Sequence, residues 1–155
     1  MSAPQPSLGA DLLSVVARLN RWATYQASLP VSPALARLLG QIDAMGAARI
    51  GDLARADHCS QPTMTTQVQR LEESGWVRRT PDPADSRAVL ISLSAEGSRL
   101  LRDVRRARAD VFDPLIDRLS QVEQRRLQRA LATLTELLNA SVEDASTPND
   151  VQEKT

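Results

Sequence analysis

The sequence predicts a mainly α-helical fold carrying one small β-hairpin, on three observations. Apolar residues recur at steps of three and four along most of the 155 residues, the period of a helix that turns one face to a core. That texture breaks once, at residues 76–93, where two aliphatic, β-branched runs flank a turn-forming cluster. No apolar run approaches the ~20 residues that span a bilayer. A content of 42% apolar and 25% charged residues is ordinary for one globular domain, which excludes a membrane class and a wholly disordered one.

The first helix is expected over residues 8–27, where Leu8, Leu12, Val15, Val16, Leu19, Trp22 and Ala23 fall on one face. Ser32-Pro33 reads as an N-cap followed by proline at the first helical position. Leu35, Leu38, Leu39 and Ile42 carry that second helix to a stop at Gly46. A short third helix spans residues 50–56. Ser60 caps a fourth, with Pro62 tolerated in its first turn and Val68 and Leu71 facing inward, and Ser74-Gly75 ends it. Residues 76–80 and 88–93 are the hairpin strands, with Pro81-Asp82-Pro83-Ala84-Asp85-Ser86 between them. Ser94 caps a long fifth helix whose interior Pro114 predicts a kink or a restart capped by Asp113. Ser120-x-x-Glu123 is a capping box opening a sixth, lined by Leu127, Leu131, Leu134, Leu137 and Leu138. The first and last helices are long, terminal and amphipathic. Their stripes either pack on each other or meet a second copy of the chain in a symmetric dimer.

Charge is sorted along the chain. Lys+Arg and Asp+Glu are both 19, a balance that counts against a nucleic-acid binder. Residues 143–155, however, hold four acidic side chains and one basic, and the other 142 residues hold 18 basic and 15 acidic. A weakly basic body with an acidic, disordered tail is the expectation, together with a disordered N-terminus over residues 1–7. All basic residues but Lys154 are arginine. Arginine suits phosphate and guanine recognition, and GC-rich codon usage would produce the same bias. Met1–Pro6 has neither a basic nor an apolar signal region. The single cysteine excludes an intramolecular disulfide, and a cytoplasmic location is expected.

Helix, short helix, turn, helix, hairpin is the order of a helix-turn-helix followed by a wing. In that motif the second helix enters the major groove with its N-terminal residues against base edges. Here those residues are Ser60, Gln61, Pro62, Thr63, Met64, Thr65, Thr66 and Gln67, short and uncharged until Arg70. They can donate to and accept from base edges and phosphates, although a capped surface helix would look similar. At the hairpin tip, Asp85 and Arg87 are two apart. On an extended strand they share a side, so Asp85 is expected to hold the Arg87 guanidinium in a bidentate pair. An arginine so held has the shape to enter a narrow minor groove; an ordinary surface ion pair is the alternative.

Taken together, Gln61-Pro62-Thr63-Met64-Thr65, Arg70-Leu71-Glu72-Glu73-x-Gly75-Trp76-Val77-x-Arg79, Asp82-Pro83-x-Asp85-x-Arg87 and Leu90-Ile91-x-Leu93-Ser94-x-Glu96-Gly97 closely resemble the MarR family of bacterial transcriptional regulators. The resemblance is densest over residues 35–102 and extends to roughly 8–142. It implies a single domain over residues 8–142: a winged helix-turn-helix over 35–93 with N- and C-terminal dimerisation helices at 8–30 and 94–142. It also implies a homodimer on double-stranded DNA, acting as a repressor on a pseudo-palindromic operator. The implied DNA-binding residues are Ser60, Gln61, Thr63, Thr65, Thr66, Gln67 and Arg70 on the recognition helix. At the wing they are Arg78, Arg79, Asp85 and Arg87. Met64 reads as a packing residue or a thymine-methyl contact.

The resemblance further implies a small, aromatic or phenolic effector, with Arg21, Trp22 and Tyr25 as candidate pocket residues; Trp22 could equally be packing. The arginines at 99, 102, 105, 106 and 108 attract phosphate or are a solvated helix face. Cys59, beside His58 and one residue before the recognition helix, is either a redox-responsive thiol or a small buried apolar group. No metal site, cofactor or catalytic constellation is expected. A winged-helix module that binds protein is the remaining alternative, disfavoured by the uncharged recognition helix and the Asp85–Arg87 wing.

Overall fold

The structure, a computed structural model, describes residues 7–146, with side chains described to residue 140. Residues 1–6 and most of the expected acidic tail, 147–155, lie outside the described residues. The chain divides into two compact units that meet in sequence between Phe112 and Asp113.

The first unit holds α1 (Leu8–Gln26), α2 (Pro33–Met45), α3 (Ile50–Ala56), α4 (Gln61–Glu73), β1 (Val77–Asp82), β2 (Asp85–Leu93) and most of α5 (Ala95–Ile116). Side-chain caps set the starts of α1, α2 and α4. Ser7, expected in a disordered N-terminus, instead caps α1, its Oγ accepting from the Ala10 N–H at 3.2 Å. Ser32 caps α2 with Pro33 in the first turn, and Ser60 Oγ accepts from the Thr63 N–H at 3.3 Å to open α4. The end of α4 is fixed as firmly. Gly75 takes a left-handed φ of 73°, which favours glycine. Its N–H reaches Glu72 O and the Trp76 N–H reaches Leu71 O, both at 2.8 Å, the paired bonds that close a helix before a sharp change of direction.

The core is assembled from Leu38, Leu39 and Ile42 of α2, Leu53 and Ala54 of α3, Met64, Val68 and Leu71 of α4, Val77, Ile91 and Leu101. Met64 is fully buried, so of its two readings packing is the one observed. Ala48, between α2 and α3, exchanges two hydrogen bonds with Ile91, at 3.0 and 2.8 Å, which docks the hairpin onto that turn.

The hairpin runs further than the sequence predicts. Its proline- and aspartate-rich centre reads as a six-residue loop over 81–86. The ladder instead pairs Val77 with Leu93 through Pro81 with Val89, then closes with Asp82 opposite Asp85 around Pro83-Ala84. The register jumps between Pro81 and Asp82. Ser86, Arg87 and Ala88 therefore face no partner on β1, a bulge at the tip. Ser94 joins the hairpin to α5: its Oγ accepts from the Gly97 N–H at 2.9 Å and donates to Gly75 O at 2.6 Å. A Cβ on Gly97 would stand 1.9 Å from Trp76 O, so this crossing of α5 over the end of α4 requires glycine.

On α1 only Ala23 is buried, while Leu8 (86% exposed), Val15, Val16 and Leu19 of the same stripe remain open.

The second unit consists of the last residues of α5 and α6 (Gln121–Ser146). No restart occurs at Pro114: α5 continues through it to Ile116, and the unit boundary falls beside it. The capping box is reciprocal, with Ser120 N and Oγ donating to Glu123 Oε2 at 2.9 and 2.6 Å and the Glu123 N–H returning to Ser120 Oγ. These bonds hold the Glu123 carboxyl below its usual pKa. Helix α6 covers residues 143–146, four residues that the charge pattern assigns to the tail. Val122, Leu131 and Leu137 are exposed.

Candidate nucleic-acid interface

Burial of Met64, Val68 and Leu71 fixes the rotation of α4. At 100° per residue this turns Pro62, Thr66, Gln69 and Glu73 directly outward, with Thr63 and Arg70 on one flank and Gln61, Thr65 and Glu72 on the other. Ser60, Gln61, Thr63, Thr66 and Arg70 are exposed, and Thr65 and Gln67 are half-buried. Gln69 is exposed on the same outward face, and the periodicity that locates the core points to it as well. The hydroxyls are already engaged within the helix. Thr65 Oγ1 donates to Gln61 O at 2.9 Å, Thr66 Oγ1 donates to Pro62 O at 3.1 Å, and Ser60 Oγ and Thr63 Oγ1 share a bond of 2.8 Å. The lone pairs of Thr65 and Thr66 therefore remain as acceptors, the complement of the adenine and cytosine amino groups in a major groove. Beside them a cleft of about 420 Å³ is lined by Ser32, Leu35, Thr63, Thr66, Gln67 and Arg70, among others. The Gln67 Oε1 is buried with no hydrogen-bond partner.

The wing arginines separate by what holds them. Arg79 donates from Nε to Glu72 Oε2 at 2.8 Å, tying β1 to the end of α4. Arg78 leans on Ser92 Oγ at 3.1 Å. Arg70 and Arg87 are exposed, and neither guanidinium is in a hydrogen bond or ion pair among the described residues. The expected bidentate Asp85–Arg87 pair is not formed. Asp85 Oδ1 accepts from the Arg87 backbone N–H at 3.0 Å instead. The reason is the bulge: the i, i+2 rule holds on a regular strand, and residues 86–88 are out of the ladder. Asp85 thus shapes the backbone under Arg87 and leaves its side chain free.

Sequence reasoning missed a second acid at the tip. Asp82 is 7% exposed, the one buried charged residue among those described. It is covered by its own hairpin and by Arg49. Its Oδ1 accepts from the Ala84 N–H at 2.8 Å and its Oδ2 from Arg49 Nε at 2.7 Å. The Ala84 N–H and then the Arg49 guanidinium hold this carboxyl below the usual carboxylate range, and the pairing raises Arg49. The available signal was Asp82-Pro83, a turn-initiating pair whose acid bonds its own backbone two residues on.

Arg21 and Tyr25 border two adjoining recesses along α1. One, of about 680 Å³, is lined by Val15, Arg18, Leu19, Arg21, Trp22 and Tyr25. The other, of about 480 Å³, adds Asn20, Thr24, Pro33, Arg37 and Arg108. Trp22 belongs only to the first and meets Phe112 edge-to-face at 6.0 Å, so packing accounts for part of its surface. Arg37 is held by Asp57 through two bonds of 2.7 and 2.9 Å, which lowers the Asp57 carboxyl and raises Arg37. The Arg108 Nε is buried without a hydrogen-bond partner. Arg105 pairs with Asp43 at 2.7 Å. Cys59 is free and half-buried, packed on the core, with its N–H on Ala54 O at 3.0 Å. Among the described residues no three His, Cys, Asp or Glu side chains group to hold a metal, and no helix is long and apolar enough to cross a membrane.

Known proteins resemble this chain in sequence and in fold. The model of the MarR family matches residues 31–89. An HTH-type transcriptional regulator of Mycobacterium tuberculosis is 33% identical over 135 residues, covering 86% of this chain and 94% of the relative. The transcriptional regulator HosA of Escherichia coli O111:H- is 32% identical over 104 residues, covering 66% and 76% respectively. Among solved structures, a cysteine-to-serine mutant of MarR from E. coli superposes with a TM-score of 0.66 at 23% identity, over 86% of this chain and 99% of the other. The same mutant complexed with operator DNA gives 0.55 at 24% identity, over 82% and 92%.

Proposed function

This chain belongs to the MarR family of transcriptional regulators, which are not enzymes, and we propose that it acts as a homodimeric repressor on a pseudo-palindromic operator in the cytoplasm. The observation that carries this reading is the pairing, in one compact unit, of an α4 whose first turns are uncharged and acceptor-rich with an unpaired arginine on a braced hairpin. Ser60, Gln61, Thr63, Thr65, Thr66 and Gln67, joined by Gln69, read the major groove. Arg70 and Arg78 meet phosphate, and Arg87 enters the flanking minor groove over the backbone that Asp85 shapes. Arg79 serves through its pair with Glu72, bracing the wing rather than touching DNA. The neighbour solved with operator DNA supports the DNA reading.

The exposed apolar residues along α1 and along α6 support a second copy as partner, since large apolar side chains left open along a helix face mark an interaction site. Two recognition helices related by a two-fold axis meet half-sites ~10 bp apart or a multiple of that. For release, the recesses at Arg21, Trp22 and Tyr25 suit a small aromatic anion. The unpartnered Arg108 Nε adds positive charge there. A ligand that binds better when the two helices are wrongly spaced for the grooves would lower operator affinity.

The test is a footprint of the full chain on the DNA upstream of its own gene. Protection of an inverted repeat, weakening steeply as salt rises, is the expected result. Equal affinity for all sequences would sink the sequence-specific reading.

A further inference from the structure

We infer that Arg49, outside the recognition helix and the wing, is the positioning residue that sets where the wing arginine stands, an inference resting on the reading that Arg87 enters a minor groove. Arg49 occupies the N-cap site of α3 yet makes no side-chain capping bond. Its side chain reaches across 33 positions of sequence to Asp82 instead. Asp82 is where the hairpin ladder changes register and closes, directly before the Pro83-Ala84 tip. Both carboxylate oxygens are occupied, one by the tip's own Ala84 N–H and one by Arg49. Arg87 follows in the unpaired bulge, its guanidinium bound to nothing among the described residues and only its backbone N–H fixed by Asp85.

The bulge by itself leaves the direction of the tip open. Two contacts from one turn close it: Ala48 bonds Ile91 toward the base of β2, and Arg49 grips Asp82 at the end of β1. Holding a strand pair at two points, base and tip, removes the swing that one point would leave. The arginine fork suits this because two of its nitrogens reach the same carboxylate, a directional bond that a lysine cannot copy. Arg49 thereby couples the helix-turn-helix to the wing, so that α4 in the major groove and Arg87 in the minor groove keep one spacing.

The experiment measures operator affinity of the full chain at fixed salt, with thermal midpoints alongside, for Arg49→Gln, Asp82→Asn, Arg87→Ala and the double variants with Arg87→Ala. Arg87→Ala is expected to weaken binding by roughly 5- to 100-fold, the range of one good arginine contact. Arg49→Gln and Asp82→Asn should each reproduce much of that loss, and adding either to Arg87→Ala should change affinity less than about twofold. Arg49→Lys should rescue little. Replacing A·T pairs under the wing by G·C should weaken the parent and leave Arg49→Gln nearly indifferent, a readout that loss of stability alone does not move. If Arg87→Ala weakens binding and Arg49→Gln does not, the positioning role is overturned while the wing reading stands. It is equally overturned if the two losses multiply, which would make Arg49 an independent phosphate contact. If Arg87→Ala binds like the parent, the wing reading falls and this inference with it.

Discussion

The helix-turn-helix with its hairpin and the two terminal helices differ in how completely they satisfy themselves within one chain. In the first, Leu39, Ile42, Leu53, Met64, Val68, Leu71 and Ile91 have essentially no exposed surface, and the hairpin is braced at base and tip. In the second, Leu8 on the apolar stripe of α1 and Leu137 on that of α6 remain more than half exposed, although both helices are regular and well capped. The difference teaches that helical periodicity reports a buried face without saying who buries it. A complete core belongs to the scaffold that presents the α4 residues and Arg87. An incomplete one is a surface awaiting a partner, proposed here to be a second copy.

The largest effect should come from breaking the complete region. Leu39→Ala leaves a cavity in the core beneath α2 and is expected to cost about 2–5 kcal/mol in denaturant unfolding. Leu8→Ala, on the open face of α1, should leave the unfolding of a dilute, dissociated chain almost unchanged. Equal costs would erase the distinction. Gly97→Ala comes next, at about 1–3 kcal/mol or more, because its methyl would meet the Trp76 carbonyl and α5 cannot back away without leaving the Ser94 cap. A variant as stable as the parent by thermal melting would mean that α5 crosses α4 with room to spare.

Arg87→Ala sharpens the comparison from the other side. It should lower operator affinity by about 1–3 kcal/mol and reduce the salt slope by about one phosphate-equivalent, with no change in thermal midpoint, because its side chain supports nothing in the fold. A large drop in melting temperature would assign Arg87 to structure. The smallest effect concerns Asp57. Arg37 holds its carboxyl below the usual range, so the unfolded chain takes up that proton first as pH falls. The pair contributes stability above the ordinary carboxylate value of about 3.9, and that contribution fades as pH drops through the lower folded value. Urea midpoints from about pH 5 to about pH 2 should fall less steeply in Asp57→Asn than in the parent. Parallel curves would dissociate Asp57 from acid sensitivity.

Much of the fold is legible in the sequence because its signals are local. Ser32-Pro33, Ser60, Gly75 and Ser120-x-x-Glu123 have partners within a few residues, and each forms where expected. What the sequence conceals is non-local or arises from broken regularity. The Arg49–Asp82 grip joins positions 33 apart, and no spacing rule connects them. The Arg79–Glu72 pair links β1 to the end of α4, and no local spacing rule announces it. The Asp85–Arg87 expectation fails because a strand rule does not hold where the strand bulges. Pro114 does not end its helix, which runs on to Ile116. Composition assigns Ser7 and residues 143–146 to disorder, yet a cap and helix continuity extend the ordered chain past both limits.

The central claim is that the reading unit is complete in one chain while its terminal helices require a second copy. It is tested most directly by light-scattering mass across concentration for the parent and for a variant carrying Leu8→Asp and Leu137→Asp, each followed by operator titration. The parent should show twice the 16.9 kDa chain mass. The variant should fall to a single chain that keeps its helical spectrum and loses tight operator binding. A parent that stays at the single-chain mass while binding the full inverted repeat tightly would contradict the claim.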